Sequence, residues 1–216
     1  MMQVPQDWTF KSVEVASGFD NHVREQLPWY ELMAGATAHF VRHYLPHSGT
    51  VLDIGCSTGN LGVLLQQTLT ARAATYIGVD NAPEMQIAYR GPGSLLVSDI
   101  TTDDIPPCDV AVLFLVLMFI PVSQRKDVVR RVCEAVRPGG MVFVVDKMPS
   151  IGGYLGTAIS RLTLAGKAAS GVSGEEIMHK ELSLCGVQRP VCPSLFEGWT
   201  RLFQFGEFYG VALEAP

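Results

Sequence analysis

Short apolar runs rich in β-branched residues alternate along most of the chain with stretches of helical spacing. The run TVLDIG, residues 50–55, is apolar almost throughout and ends in a glycine, which reads as a buried strand entering a turn. Residues 60–70 (NLGVLLQQTLT) then put Leu61, Leu64 and Leu65 on one side of a helix. TYIGVD predicts a second strand, APEMQIAYR a helix with Pro83 near its first turn, SLLVSDI a third strand and DVAVLFL a fourth. Ser123 to Val136 has helical spacing, with Arg125, Lys126, Arg130 and Arg131 assigned to its solvated face. RPGG ends that helix and turns the chain into a fifth strand, GMVFVVD. Strands that are apolar throughout and separated by helices indicate a parallel sheet covered on both faces.

The flanks read differently. Residues 1–30 are expected to be irregular or partly helical, punctuated by Pro5 and Pro28, before a helix from about Tyr30 to Tyr44 stopped by Pro46. After Asp146 comes a Gly- and Ser-rich stretch containing the helix GYLGTAISRLTLAGKAAS. Ser173-Gly174-Glu175-Glu176 has capping-box spacing and starts a further helix ending near Gly186. WTRLFQFGEFYGVALEA reads as two strands with a tight break at Gly206 to Gly210. The expected architecture is α/β: a doubly wound, mostly parallel seven-stranded sheet with a C-terminal antiparallel hairpin. No repeat, charge block or low-complexity linker divides the chain. One domain over 1–216 is expected, with 1–30 as an N-terminal cap segment and 147–172 as a variable lid or crossover segment.

Composition narrows the classes. With 48% hydrophobic and 17% charged residues in 216, the chain is too apolar for disorder as its main state. A net charge of −5 argues against a strongly basic nucleic-acid wrapper. The first half is acidic, with 11 Asp and Glu against 5 Lys and Arg in 1–108, whereas 109–216 holds 10 against 11. A polyanion would therefore meet the C-terminal half. Five cysteines without a CxxC pair, and an N-terminus with neither a basic start nor an apolar run, predict reduced thiols and a cytoplasmic protein. The apolar run Val110 to Ile120 is far short of the roughly 18 residues that suggest a membrane helix.

The strongest local signal is Asp53-Ile54-Gly55-Cys56-Ser57-Thr58-Gly59, between a strand and a helix. Gly55 permits a tight turn, and Gly59 lets a ligand approach the backbone at the helix N-terminus, where open α/β sheets bind ligands. The G-x-x-x-G spacing is not the G-x-G-x-x-G of dinucleotide oxidoreductases, which counts against a nicotinamide dehydrogenase. Asp80 ends the second strand, placed to accept two ribose hydroxyls. Ser98-Asp99-Ile100 ends the third, where a carboxylate can take an adenine amino group and Ile100 can pack on the ring. The alternative is that Asp53, Asp80 and Asp99 only cap loops; three such signals at successive strand ends favour the ligand.

The order VLDIGCSTG, GVDNAPEM, SDI, VRPGG and FVVDK resembles the class I S-adenosylmethionine-dependent methyltransferases, with their Rossmann-like methyltransferase fold. The resemblance implies that Gly55 and Gly59 border the methionine moiety, with Cys56 in the same cofactor loop, that Asp80 holds the ribose and that Asp99 and Ile100 hold the adenine. A narrower resemblance, carried by DWTF, FDNHVREQLPWYELM, the DNAPEM turn and FQFG, is to the carboxy-S-adenosylmethionine synthases. Those enzymes convert S-adenosylmethionine, with prephenate as carboxyl source, into the carboxylated cofactor of tRNA wobble-uridine modification. In this resemblance Tyr30 matches a family tyrosine near the donor's reactive end and Asn81 matches beside Asp80; Asp53, Met85 and Phe114 complete the candidate donor site. Phe114 stands where that family carries an asparagine, and the family's basic segment after the fifth strand, with its carboxylate-pairing arginine, is shortened here; Arg161 does not align with that arginine. The cofactor implied is S-adenosyl-L-methionine, or its carboxylated form, and no catalytic residue is singled out.

Weaker signals have bland alternatives. His39, His43 and His47 are four apart, but Pro46 breaks the helix before His47, so no metal site is expected. Cys56 needs no more than its small size to sit in the loop. Asp146 and Lys147 either serve an acceptor pocket or form a salt-bridged strand end. Residues 154–170 are either a mobile lid or a packed crossover helix. LFLVLMFIP, at the fourth strand end, has neither the Asn/Asp-Pro-Pro-aromatic turn of amino-methylating DNA enzymes nor the Pro-Cys of cytosine-C5 enzymes. Three functions stay open: a methyltransferase of unknown acceptor, a carboxy-S-adenosylmethionine synthase, and a non-catalytic cofactor-binding partner protein. The partners expected are a small-molecule donor, an acceptor that is a small molecule or a nucleic acid, no membrane, and a second copy of the chain in a homodimer.

Overall fold

A computed structural model describes residues 8–216. The sheet runs β1 (Thr50–Ile54), β2 (Thr75–Asp80), β3 (Leu96–Val97), β4 (Cys108–Phe114), β5 (Val136–Lys147), β6 (Thr200–Phe205) and β7 (Phe208–Glu214), in the spatial order β3-β2-β1-β4-β5-β7-β6. The first five strands are parallel; β7 pairs antiparallel with β5 and β6. The helices are α1 (Val13–Gln26), α2 (Tyr30–Tyr44), α3 (Asn60–Ala71), α4 (Val122–Ala135), α5 (Gly153–Ala169) and α6 (Gly174–Ser183). This is the doubly wound seven-stranded sheet with a terminal hairpin.

Both sheet faces are buried because alternate residues of each central strand point opposite ways. Leu52, Leu113 and Val144 pack with Val128 and Val132 of α4, whereas Val51, Val112 and Phe143 pack with Val41 of α2 and Leu65 of α3. Among the described residues no helix is long and apolar enough to cross a membrane.

Several elements differ from the sequence expectation. The segment over residues 82–90 forms only a short 3-10 turn, Pro83–Ile87, since Arg90 N–H donates to Thr58 O (2.9 Å) and draws the chain back to the glycine loop. The third strand shrinks to two residues: it is a sheet edge, and Ser98 and the Asp99 N–H turn instead onto the Asp103 carboxylate. RPGG does not separate α4 from β5 by a turn; Val136 already pairs with Cys108, so the strand runs through it. The hairpin turn is at Gly206-Glu207, with Gly210 inside β7.

Arg125 is not solvated. It is 4% exposed and donates to the carbonyls of Ile120, Pro190, Met118 and Arg189, pinning the segment after α6 to α4. Arg131 likewise donates to Ile100 O and Asp103 O. Within 1–30, residues 1–7 lie outside the described residues, and α1 is a full helix, capped by Ser12, whose hydroxyl accepts from Val15 N–H. The predicted capping box at Ser173 is present.

Candidate functional site

The glycine loop holds three left-handed residues, Gly55, Ser57 (φ +51°) and Gly59. Gly55 has φ +66°, and a Cβ there would sit 2.5 Å from Val116 Cγ2. Gly59 (φ +80°) caps α3, and a Cβ would meet the backbone of Gly91 at 2.6 Å. Between them, Ser57 N–H donates to Asp80 Oδ2 (2.9 Å) while Ala82 N–H donates to Asp80 Oδ1 (3.0 Å). Two backbone donors thus orient the Asp80 carboxylate, and each oxygen keeps a lone pair for a ligand hydroxyl. At the β3 end, Asp99 Oδ1 accepts from Thr101 N–H (2.9 Å) and Thr101 Oγ1 (2.7 Å). Leu115, just past β4, holds φ +62°, a strained backbone of the kind that collects at ligand sites.

These strand ends open on one cavity of about 620 Å3, a size typical of small-molecule sites, which span roughly 300–1,000 Å3. Tyr30, Asp53, Gly55, Cys56, Asp80 and Asn81 line it, as do Asp99, Ile100 and Phe114. Gly59 and Met85 do not. Gly59 backs onto Gly91, and Met85, 1% exposed, lies under the loop, where its sulfur accepts from Ser57 Oγ (3.4 Å).

Burial sets the protonation of these groups. Asp53, 2% exposed, accepts from the Tyr76 hydroxyl at 2.5 Å, yet desolvation pushes its pKa up to about 7. Desolvation also raises Asp80. Tyr30 is pushed up to about 12 by burial and stays a phenol; it accepts from Asn60 Nδ2 (3.1 Å) and stands edge-on to Phe114, 5.6 Å between ring centres. The Cys56 thiol is driven up by burial, away from the thiolate a nucleophile needs. Asp146 is fully buried and accepts from Leu117 N–H (2.7 Å) and Lys147 N–H (2.9 Å), so it ties strand to loop instead of serving the cavity. Lys147 does line the cavity, 3.7 Å from Glu207.

Two groups escaped the sequence reading. Asp20 of α1 accepts from Thr58 Oγ1 (2.6 Å) and Asn60 Nδ2 (2.6 Å) and pairs with Arg90, clasping α1 to the glycine loop. The rest of the cavity wall comes from α1, α5 and α6, including His22, Gln26, Thr163, Lys167 and Lys180. No local motif marks either, because each is assembled by packing between distant helices. His39 and His43 meet edge to face on α2, 4.8 Å between ring centres, outside the cavity lining.

A family described as a methyltransferase domain matches residues 51–140, from β1 to the start of β5. The carboxy-S-adenosyl-L-methionine synthase of Staphylococcus epidermidis is 27% identical over 192 residues, 87% of this chain and 84% of the relative. That of Pectobacterium atrosepticum is 26% identical over 229 residues, 96% and 92%. Among solved structures, the plantazolicin methyltransferase BpumL in complex with SAH superposes with a TM-score of 0.58 at 17% identity, over 86% of this chain and 66% of that one. This chain therefore spans slightly less than two thirds of that enzyme. A TehB-like SAM-dependent methyltransferase from Corynebacterium glutamicum gives 0.53 at 15% identity, over 93% and 98%. At such identities the solved structures speak for the fold alone.

Proposed function

We infer that this chain, a class I S-adenosylmethionine-dependent methyltransferase resembling the carboxy-S-adenosylmethionine synthases, holds its donor across the carboxyl ends of β1, β2 and β3 and passes the methyl group to an acceptor in the same cavity. The observation that carries the reading is the convergence of Asp80, held by Ser57 and Ala82 N–H groups, and Asp99-Ile100 on one cavity beside the glycine loop. Asp80 takes the ribose hydroxyls, assisted by Asn81, and Asp99 the adenine amino group, with Ile100 against the ring. The Gly55-Cys56 backbone borders the methionine moiety, while Gly59 and Met85 shape the loop from behind. Tyr30 and Phe114 flank the reactive end. Asp53 supplies negative charge to a donor that carries a sulfonium and an ammonium.

In the transfer the acceptor's lone pair forms a bond to the methyl carbon as the carbon–sulfur bond breaks, leaving a neutral thioether. That step needs in-line placement and exclusion of water more than proton transfer. The single domain, with α1 as part of its cap, serves this by closing the cavity. The five free thiols fit a reducing, cytoplasmic setting.

Titration of S-adenosylhomocysteine into the parent, Asp80→Ala and Asp99→Ala proteins tests the donor site. Each variant is expected to lose roughly tenfold or more in affinity, about 1.4 kcal/mol. Unchanged affinity in either removes that residue's role.

A second reading, carboxyl transfer to the donor, is favoured by the relatives' extent along this chain, 87% and 96%. Against it, no arginine lines the cavity among the described residues, and Arg161 is exposed and outside the lining. Incubation with S-adenosylmethionine and prephenate separates the two. A product of carboxylated mass assigns the synthase activity, and its absence leaves methyl transfer.

A further inference from the structure

Beyond the strand ends, the cavity wall is built from helices and is unusually polar for its depth. His22 of α1, Thr163 and Lys167 of α5 and Lys180 of α6 all line the cavity, and each is 8% exposed or less. Two lysines on this side have counter-ions: Lys167 lies 2.6 Å from Glu181 and Lys147 3.7 Å from Glu207. Lys180 has none. Among the described residues no carboxylate lies within 4.0 Å of its ammonium nitrogen and it makes no hydrogen bond; it rests over the Trp8 ring.

Three further buried atoms on this wall lack partners among the described residues: His22 Nε2, Gln26 Oε1 and Thr163 Oγ1. Buried polar atoms are almost always hydrogen-bonded, and a buried ammonium without a counter-ion is costlier still. Four such groups on one cavity wall are explained together if the cavity's occupant completes them. With Glu181 and Glu207 already paired, Lys180 is, among the described residues, the one amine on this wall without a counter-ion. Phe10, Leu27, Leu164 and Leu184 supply apolar surface around it.

We propose that this wall is the acceptor site and that it takes a small, apolar-bodied molecule with one anionic group, seated on the Lys180 ammonium with His22 and Thr163 as hydrogen-bond partners. The assignment rests on the reading of the strand ends as the donor site. A nucleic acid is disfavoured because backbone recognition uses an accessible cationic track, whereas Lys167 and Lys180 are buried and Lys167 and Lys147 are already paired. Burial, with the Lys167 charge close by, pulls Lys180 down to about 6 against the attraction of Glu181. An arriving anion reverses that, so the complex takes up a proton near neutral pH.

The test titrates the full chain, saturated with S-adenosylhomocysteine, with formate, benzoate and phenylacetate and with the matching neutral amides. It is run at pH 7.5 in two buffers of different ionisation enthalpy. At least one carboxylate is expected to bind roughly tenfold tighter than its amide, with uptake of close to one proton. Lys180→Met should abolish that preference while changing S-adenosylhomocysteine affinity less than about twofold, and Lys180→Arg should keep it.

The proposal is overturned if no carboxylate binds, if amides bind equally well, or if Lys180→Met retains the preference. It is also overturned if Lys180→Met weakens only an oligoribonucleotide or only carboxy-S-adenosylmethionine. Failure of the parent to bind S-adenosylhomocysteine strikes the donor reading instead, and the carboxylate titration then proceeds on the unloaded protein with the same outcomes.

Discussion

Asp53→Asn is expected to make the protein more stable above neutral pH. Asp53 is 2% exposed, with Tyr76 as its hydrogen-bonding side chain, and its pKa rises from 3.8 to about 7 through desolvation. Because the folded-state value is raised, the folded chain keeps this proton between pH 3.8 and 7 while the unfolded chain has lost it. Stability therefore falls as pH climbs through that window and levels off above the folded value. At 1.36 kcal/mol per unit, the penalty for ionised Asp53 reaches up to roughly 4 kcal/mol at pH 8. Asparagine has nearly the same shape, retains an oxygen for the Tyr76 hydroxyl and never ionises. In urea unfolding followed by circular dichroism, the variant should gain stability at pH 8, less at pH 5 and almost none at pH 4. A variant less stable than the parent at pH 8, or a gain independent of pH, would refute the desolvation argument. A positively charged donor favours ionised Asp53, so the same variant should bind S-adenosylmethionine more weakly, the trade expected of a strained site residue.

Two further substitutions probe the frame around the site. Gly59→Ala combines a left-handed φ with a Cβ 2.6 Å from the Gly91 backbone; a loss of about 2 kcal/mol or more, a fall in Tm of roughly 5 °C, is expected in a thermal scan. Arg125→Met strips the donor from four carbonyls and should cost about 3 kcal/mol in urea unfolding. Exposed Lys126→Met, its sequence neighbour, should stay within about 0.5 kcal/mol of the parent.

What the sequence disclosed followed from how local each signal is. β1, β2 and β4, together with α2 and α3, were legible because their apolar periodicity answers to a single sheet face or a single helix stripe. The glycine loop and the Asp80 and Asp99 strand ends sit within one strand–turn unit each, so spacing alone located them. SLLVSDI misled because an edge strand with one neighbour gives up its ladder to side-chain turns, here through Asp103. Arg125 misled because helical spacing does not distinguish a cation facing water from one facing the carbonyls of a segment more than sixty residues away. Asp20 was invisible for the same reason. Its partners Thr58, Asn60 and Arg90 converge on it only after α1 has packed.

The helical wall shows that failure in its strongest form, because α5 reverses the usual amphipathic pattern. Its buried positions are Gly156, Thr163 and Lys167, while Tyr154, Leu155 and Leu162 are among its exposed ones. Thr163 and Lys167 are four apart and share a face, and that face lines the cavity. An apolar-stripe reading therefore points the helix the wrong way. If core packing alone set its orientation, the leucines would be inside, since burying one is worth about 1.5–3 kcal/mol. Placing a threonine and a lysine inward gives up that gain and leaves Thr163 Oγ1 unpaired. Such an inversion is tolerable where the inner face meets a ligand instead of a core. On the reading proposed above, the donor half of the cavity is built from strand-end motifs, and the acceptor half from buried polar side chains that an occupant would complete. The identity of that occupant is accordingly written in His22, Thr163, Lys167 and Lys180, where no motif is found.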